Sequence, residues 1–157
     1  MSRNFTKNTA NYMTTGVNSF GSLLAGLGVF SFHAIVKLTS KNSSGTQGDD
    51  LFYIMRSNTQ VGLSVTMTGS AVVNQVRIFA RSQAADSGQT VDSTTTLSTG
   101  TEYSLGGVVN VASDSMRIYV NGSQEASSSV SFGATTWTSD TPTTASDAIG
   151  CSLNSSN

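Results

Sequence analysis

Few side chains in this sequence can do chemistry, and their spacing decides which kind. Glu102 and Glu125 are the only glutamates, the side chains to weigh for paired-carboxylate chemistry. Retaining hydrolysis needs two carboxyl groups about 5 Å apart, one as nucleophile and one as proton donor. These two fall on different predicted strands with no acidic residue two positions away, so they read as solvated surface groups. The sole histidine, His33, follows Ser31 along a strand, without the sharp turn that presents a nucleophile, and reads as a polar-face residue. One His and one Cys cannot assemble a structural zinc site within a chain. Calcium takes carboxylates and carbonyls, and Asp49, Asp50, Asp114 and Asp140 lie in predicted loops, where aspartates also serve as turn formers. They are the candidate calcium ligands; no other cofactor is expected. Arg77, Phe79 and Arg81 alternate along one strand, and Arg117 and Tyr119 along another. Arginines and aromatics stack on and hydrogen-bond sugar rings, and they are enriched at protein interfaces. These five form the candidate ligand or interface face. With no third aromatic in line, an interface is the preferred reading and a sugar the alternative. No catalytic set emerges, so the expectation is a protein that is not an enzyme.

The elements that must position these residues are strands. Tyr103, Leu105, Gly107, Val109 and Val111 fall on one face of a first strand; Met116, Ile118 and Val120 alternate with Arg117, Tyr119 and Asn121 in a second. Asn121-Gly122 supplies the two positive-φ positions of a type I′ turn. Phe30, Phe32, Ala34, Val36 and Leu38 mark another strand, and further strands are expected over 51–56, 61–67, 72–81, 90–97, 124–132 and 147–152. Asn4-Phe5-Thr6 and Tyr12-Met13-Thr14 bracket a polar turn as an opening hairpin. Phe20, Leu23, Leu24 and Leu27 have spacings that predict a short helix near residues 19–27 or an ordered loop. Turn signals recur about every ten residues, as in a sandwich or barrel. The core is expected to hold Phe32, Val36, Val109, Ile118 and Val120, with Trp137 in a Thr/Ser/Asp loop.

Composition agrees. At 157 residues the chain is the size of one domain, and 37% hydrophobic content in alternating runs exceeds what a disordered segment carries. Charged residues make up 11% and the net charge is −1, which supplies no attraction to nucleic acid. Ser, Thr, Asn and Gly make up nearly half the chain, a composition poor in helix formers and suited to strands and turns. The lone Cys151 cannot form an internal disulfide and reads as a small buried hydrophobe. No stretch reads as a signal peptide or approaches the ~20 apolar residues of a membrane-spanning helix. The Asn-x-Ser/Thr matches at Asn4, Asn42, Asn121 and Asn154 are therefore chance products of a Ser/Asn-rich chain.

Four segments resemble the laminin-G and pentraxin-type domains of the concanavalin A-like lectin/glucanase superfamily. Arg3-Asn4-Phe5 with Asn11-Tyr12-Met13 resembles that family's opening hairpin. Phe30-Ser31-Phe32-His33-Ala34-Ile35-Val36-Lys37 resembles its F-S-h-x-x-W-h-K strand, with Ile35 where an aromatic is commoner. The stretch from Leu97 to Gly106 resembles L-x-x-G-x-W-Y-H-V-A, and that from Ser113 to Gly122 resembles D-x-x-h-x-h-Y-V-N-G. The resemblance implies an all-β, two-sheet antiparallel sandwich (jelly roll) over 1–157 as a single domain. The family's glucanases carry a Glu-x-Asp-x-x-Glu strand that this sequence lacks. Its closing Gly-x-h-x-x-h strand is not reached after Ile149-Gly150, which implies a fragment or an open edge beyond Cys151 covered by another chain.

Such modules outside the secretory route are at home among bacteriophage structural proteins. The resemblance therefore implies a non-catalytic virion-surface protein, a capsid decoration or tail component. Its expected partners are other virion proteins or copies of itself, with no nucleic acid and no membrane insertion. The alternative is a carbohydrate-binding lectin module, and a glycan-cleaving enzyme stands a distant third.

Overall fold

Alternating apolar and polar side chains on a Ser/Thr-rich chain fold here into strands that bury one face each. The computed structural model describes residues 13–17, 24–39, 49–55, 62–67, 74–83, 85–138 and 146–149. Among them are ten strands: β1 (Met13–Val17), β2 (Val29–Lys37), β3 (Asp49–Met55), β4 (Gly62–Met67), β5 (Val76–Arg81), β6 (Gln89–Asp92), β7 (Glu102–Asn110), β8 (Ser115–Val120), β9 (Ser123–Ser129) and β10 (Ser146–Ile149). They form a six-stranded sheet in the order β1-β10-β3-β4-β5-β6 and a four-stranded sheet in the order β2-β7-β8-β9, with every pairing antiparallel. The protein is the expected two-sheet β-sandwich.

The core lies between the sheets. Val76, Ile78 and Ala80 face inward from β5; Tyr103, Leu105 and Val109 from β7; and Met116, Ile118 and Val120 from β8. Of the five expected core residues, Val109, Ile118 and Val120 belong to this cluster, and Phe32 and Val36 of β2 pack against it while half-buried. Gly107 marks the closest approach of the two sheets. A Cβ there would run into the Phe32 ring and stand 2.5 Å from Ile78 Cδ1. The next residue, Gly106, faces outward, where a Cβ would find its nearest neighbours at 3.6 and 3.7 Å.

Local chemistry explains where strands stop. Asn121 (φ 51°) and Gly122 (φ 80°) make the expected two-residue turn between β8 and β9. Asn121 Oδ1 accepts the Ser104 N–H at 3.0 Å, and the Asn121 N–H donates to the Ser104 carbonyl at 2.7 Å. Asp114 (φ 50°) turns β7 into β8; its Oδ1 accepts the Phe132 N–H and its carbonyl the Val130 N–H. The strand expected over 90–97 ends at Asp92 because the following threonines turn toward Glu125. That carboxylate accepts both backbone N–H groups and both hydroxyls of Thr94 and Thr95. Glu125 is thus a brace between the β6–β7 connection and β9, not a solvated surface group.

Other expectations are corrected. Of the short helix or ordered loop expected near residues 19–27, Leu24 is helical and a turn follows it: Leu27 N–H bonds the Leu24 carbonyl and Gly26 sits at φ 82°. Residues 19–23 of that expected segment lie outside the described residues, as do residues 4–6 and 12 of the opening hairpin. β1 pairs with β10. Trp137 lies outside every named strand, as its polar neighbours predict, yet it is 1% exposed and plugs the core. Its backbone exchanges hydrogen bonds with Gly26 and Leu27 at 2.8 and 2.9 Å. The last strand leaves no open edge along itself, since β10 lies between β1 and β3; Cys151 lies outside the described residues.

Two predictions follow from the packing and the brace. Gly107→Ala should lower stability by about 1–3 kcal/mol through overpacking, while Gly106→Ala should leave the melt nearly unchanged. Equal losses in thermal denaturation would overturn the assigned facing of the two glycines. For Glu125, partial burial pushes the carboxyl up, but the Thr95 and Thr94 hydrogen bonds outweigh it and hold it below its ordinary value. A depressed folded-state value contributes stability that is present above the unfolded carboxylate's value, about 4.3, and lost as pH falls through the folded one. Glu125→Gln should therefore cost Tm at neutral pH, and its deficit should shrink below about pH 4. A deficit that stays constant across an acid titration followed by calorimetry would refute the brace.

Candidate functional site

The five residues singled out by the sequence do not share a surface. Arg77, Phe79 and Arg81 lie on β5 in the six-stranded sheet, and Arg117 and Tyr119 on β8 in the four-stranded one. Each set alternates with core residues of its own strand, so the two sets point away from each other on opposite outer faces.

On the six-stranded sheet the candidates are already engaged. Arg77 stands opposite Asp92 in the β5–β6 register and grips it with two hydrogen bonds of 2.7 Å. The Asp92 hydrogen bond raises the Arg77 pKa above its ordinary value, against the opposing pull of burial. Phe79 lies against the β5–β6 connection, its ring filling the place where a Cβ of Gly88 would stand. Arg81 sits over that ring at 5.9 Å from its centroid, within cation–π range. The trio cross-links a hairpin and offers no open aromatic platform.

The outer face of the four-stranded sheet is different. Its register aligns His33, Gly106, Tyr119 and Gln124 in one row across β2, β7, β8 and β9. His33 Nε2 and Ser104 Oγ share a hydrogen bond of 2.8 Å, and Tyr119 OH donates to Gln124 Oε1 at 3.2 Å. Gly106 carries no side chain between His33 and Tyr119, so the row is dished at its centre. Arg117 is exposed one row away, beside Val108, with no ion pair among the described residues. Ile35, 65% exposed, stands next to Ser104. The face therefore combines a half-buried aromatic, an apolar flank, hydrogen-bonding side chains and an open guanidinium.

Of these, Arg117 and Tyr119 were legible as candidates. Ser104, Gly106 and Gln124 were not, and His33 was seen only as a polar-face residue. The signal that unites them is cross-strand register between β2 and β7, a pairing of residues about seventy positions apart. The Asn121-Gly122 turn could have located Gln124, since it sets β9 against β8.

The carboxylates hold the frame. Asp49 and Asp50, expected in a loop, are in β3, opposite Met67 and Thr66 of β4. Asp114 is engaged by Phe132, and Asp140 lies outside the described residues. Among the described residues no group of three or more His, Cys, Asp or Glu side chains is placed to hold a metal ion. Glu102 sits at one end of β7 and Glu125 in its threonine brace on β9. Asp86 accepts from Ser82 Oγ, from Gln83 Nε2 at 2.9 Å and from Gly133 N–H at 3.1 Å. Burial pushes its carboxyl up, but these bonds prevail and hold it below the usual range.

No protein-family model matches the chain, and no curated protein matches it. Solved structures do. The chain is similar to the CBM40 carbohydrate-binding module of a Ruminococcus gnavus IT-sialidase bound to α2,3-sialyllactose, with a TM-score of 0.60 and 14% identity, over 87% of this chain and 72% of that one. It is also similar to a second structure of the same module, with a TM-score of 0.54 and 15% identity, over 82% of this chain and 66% of that one. At this identity the likeness shows the fold alone, a two-sheet β-sandwich.

Proposed function

We propose that this chain is a non-catalytic carbohydrate-binding domain that takes glycans on the outer face of its four-stranded sheet. The observation that carries the reading is the dished row of His33, Gly106 and Tyr119. A sugar ring presents one apolar C–H face and a rim of hydroxyls, so its site needs an aromatic surface, room beside it and polar groups at the edge. Tyr119 supplies the surface, Gly106 the room, and His33, Ser104 and Gln124 the hydrogen bonds. Arg117 adds a guanidinium suited to a carboxylate on the ligand. The likeness to CBM40 modules supports the sugar alternative over the virion-surface role that the sequence resemblance implied, for which no observation speaks. Since one of those modules was solved with α2,3-sialyllactose, that trisaccharide is the first probe.

A glycan array that includes sialylated and neutral oligosaccharides, followed by calorimetric titration of the hits, tests the reading. Tyr119→Ala should weaken binding by about tenfold. Gly106→Ala, which the fold accommodates, should also weaken it by filling the dish, and neither change should lower the melting temperature appreciably. A wild-type chain that retains no glycan at millimolar concentration, or a Tyr119→Ala variant that binds as well as the parent, would end the proposal.

A further inference from the structure

The two sheets have four edges, and they are not alike. β6 is four residues long, and β1 is five with a shift in its pairing to β10. β9 is interrupted by a shift of register opposite Ile118 and Tyr119, the kind of irregularity that blunts an edge. β2 is nine residues long and pairs with β7 without a break from Val29 to Lys37. No described strand lies on its other side. It contains no proline, and its one charged side chain, Lys37, stands at the very end.

The hydrogen-bond phase of β2 shows which of its groups face that open side. Val111 N–H donates to the Gly28 carbonyl at 2.8 Å, which makes Gly28 and Val111 a hydrogen-bonded pair in the β2–β7 register. Phe30, Phe32, Ala34 and Val36 follow in the same phase and direct their backbone groups to β7. Val29, Ser31, His33, Ile35 and Lys37 direct theirs to the open side, and all five are exposed. Val29 is 49% exposed and Ile35 65%.

We infer that β2 is a docking edge for a second copy of this chain, joined antiparallel about a two-fold axis at Phe32. Only a register that sets outward residues opposite outward residues satisfies their N–H and carbonyl groups. Centring the axis on Phe32 sets Val29 against the partner's Ile35 and Ser31 against the partner's His33, each twice by symmetry. The exposed apolar side chains then cover each other. No charged side chain lies within the paired stretch, and the two copies of Lys37 fall at opposite ends. The four-stranded sheets become one sheet running through both copies. A seven-residue edge at about 3.4 Å per residue, about 10 Å deep, buries on the order of 250 Å² per copy. This is well under the roughly 800 Å² of a standard interface, so the dimer is weak and concentration-dependent. The inference does not depend on glycan binding.

Sedimentation equilibrium over a wide concentration range, with hydrogen exchange at its two ends, tests it on the full chain. The amides of Val29, Ser31, His33 and Ile35 should exchange fast when dilute and slow down when concentrated, while those of Phe30 and Phe32 stay protected throughout. Ile35→Lys, an exposed change that leaves the fold intact, should weaken dimerisation by about tenfold or more. Ile35→Pro should do the same, because it removes an outward N–H that β7 does not use. A chain that stays monomeric at its solubility limit overturns the inference. So does a dimer unaffected by Ile35→Lys, or protection that appears on another edge.

Discussion

At Gly107 the four-stranded sheet carries no side chain, and the Phe32 ring and Ile78 Cδ1 occupy the space where one would stand. That contact brings an aromatic from β2 and an aliphatic from β5 into a single layer across the sandwich. Dispersion falls away within an ångström of separation, so the density of the surrounding core depends on this approach. The residue beside it has the opposite task. Because successive residues of a strand face opposite sides, Gly106 opens the outer surface while Gly107 closes the inner one. One dipeptide thus serves both the packing of the sheets and the shape of the face that Tyr119 and His33 border.

How much of this the sequence disclosed follows from the range of the forces involved. Period-2 alternation is local, and it placed Val109, Ile118 and Val120 correctly in the core and the β8–β9 turn at Asn121-Gly122. The division of strands between sheets is a long-range matter. Nothing within a few residues of Arg77 or Arg117 says that β5 and β8 belong to different sheets, so the two patterns looked like one face. Strand ends were misjudged where side chains compete with the ladder, as Thr94 and Thr95 do by turning to Glu125. Trp137 lies in the loop that its polar neighbours suggest, and what they do not disclose is its burial: the backbone bonds to Gly26 and Leu27 carry the indole into the core.

In a chain with so few charges, three described carboxylates serve as acceptors for loop backbone. Asp86 ties the β5–β6 connection to Gly133, Asp114 ties the β7–β8 turn to Phe132, and Glu125 holds the threonine turn. Asp92 is paired to Arg77 across a hairpin. These three connections are therefore fixed from within, while His33, Arg117 and Tyr119 stand on the outer surface of the four-stranded sheet. On the proposed binding face the polar groups are oriented by one another, His33 by Ser104 and Tyr119 by Gln124, while Arg117 is committed to none of them.

The position of β10 between β1 and β3 bears on how the chain acquires its structure during synthesis. β7, β8 and β9 are joined by short turns and can pair as soon as they leave the ribosome, with β2 already waiting to join them. Among the described strands β1 pairs only with β10, more than a hundred residues further along the chain. β3 likewise meets β10 only across a long stretch of chain. Pairings between distant parts of a chain are slow to form and leave strand edges open to wrong partners meanwhile. The pairings among β7, β8 and β9 are thus local, while those of β10 close the largest loops among the described strands.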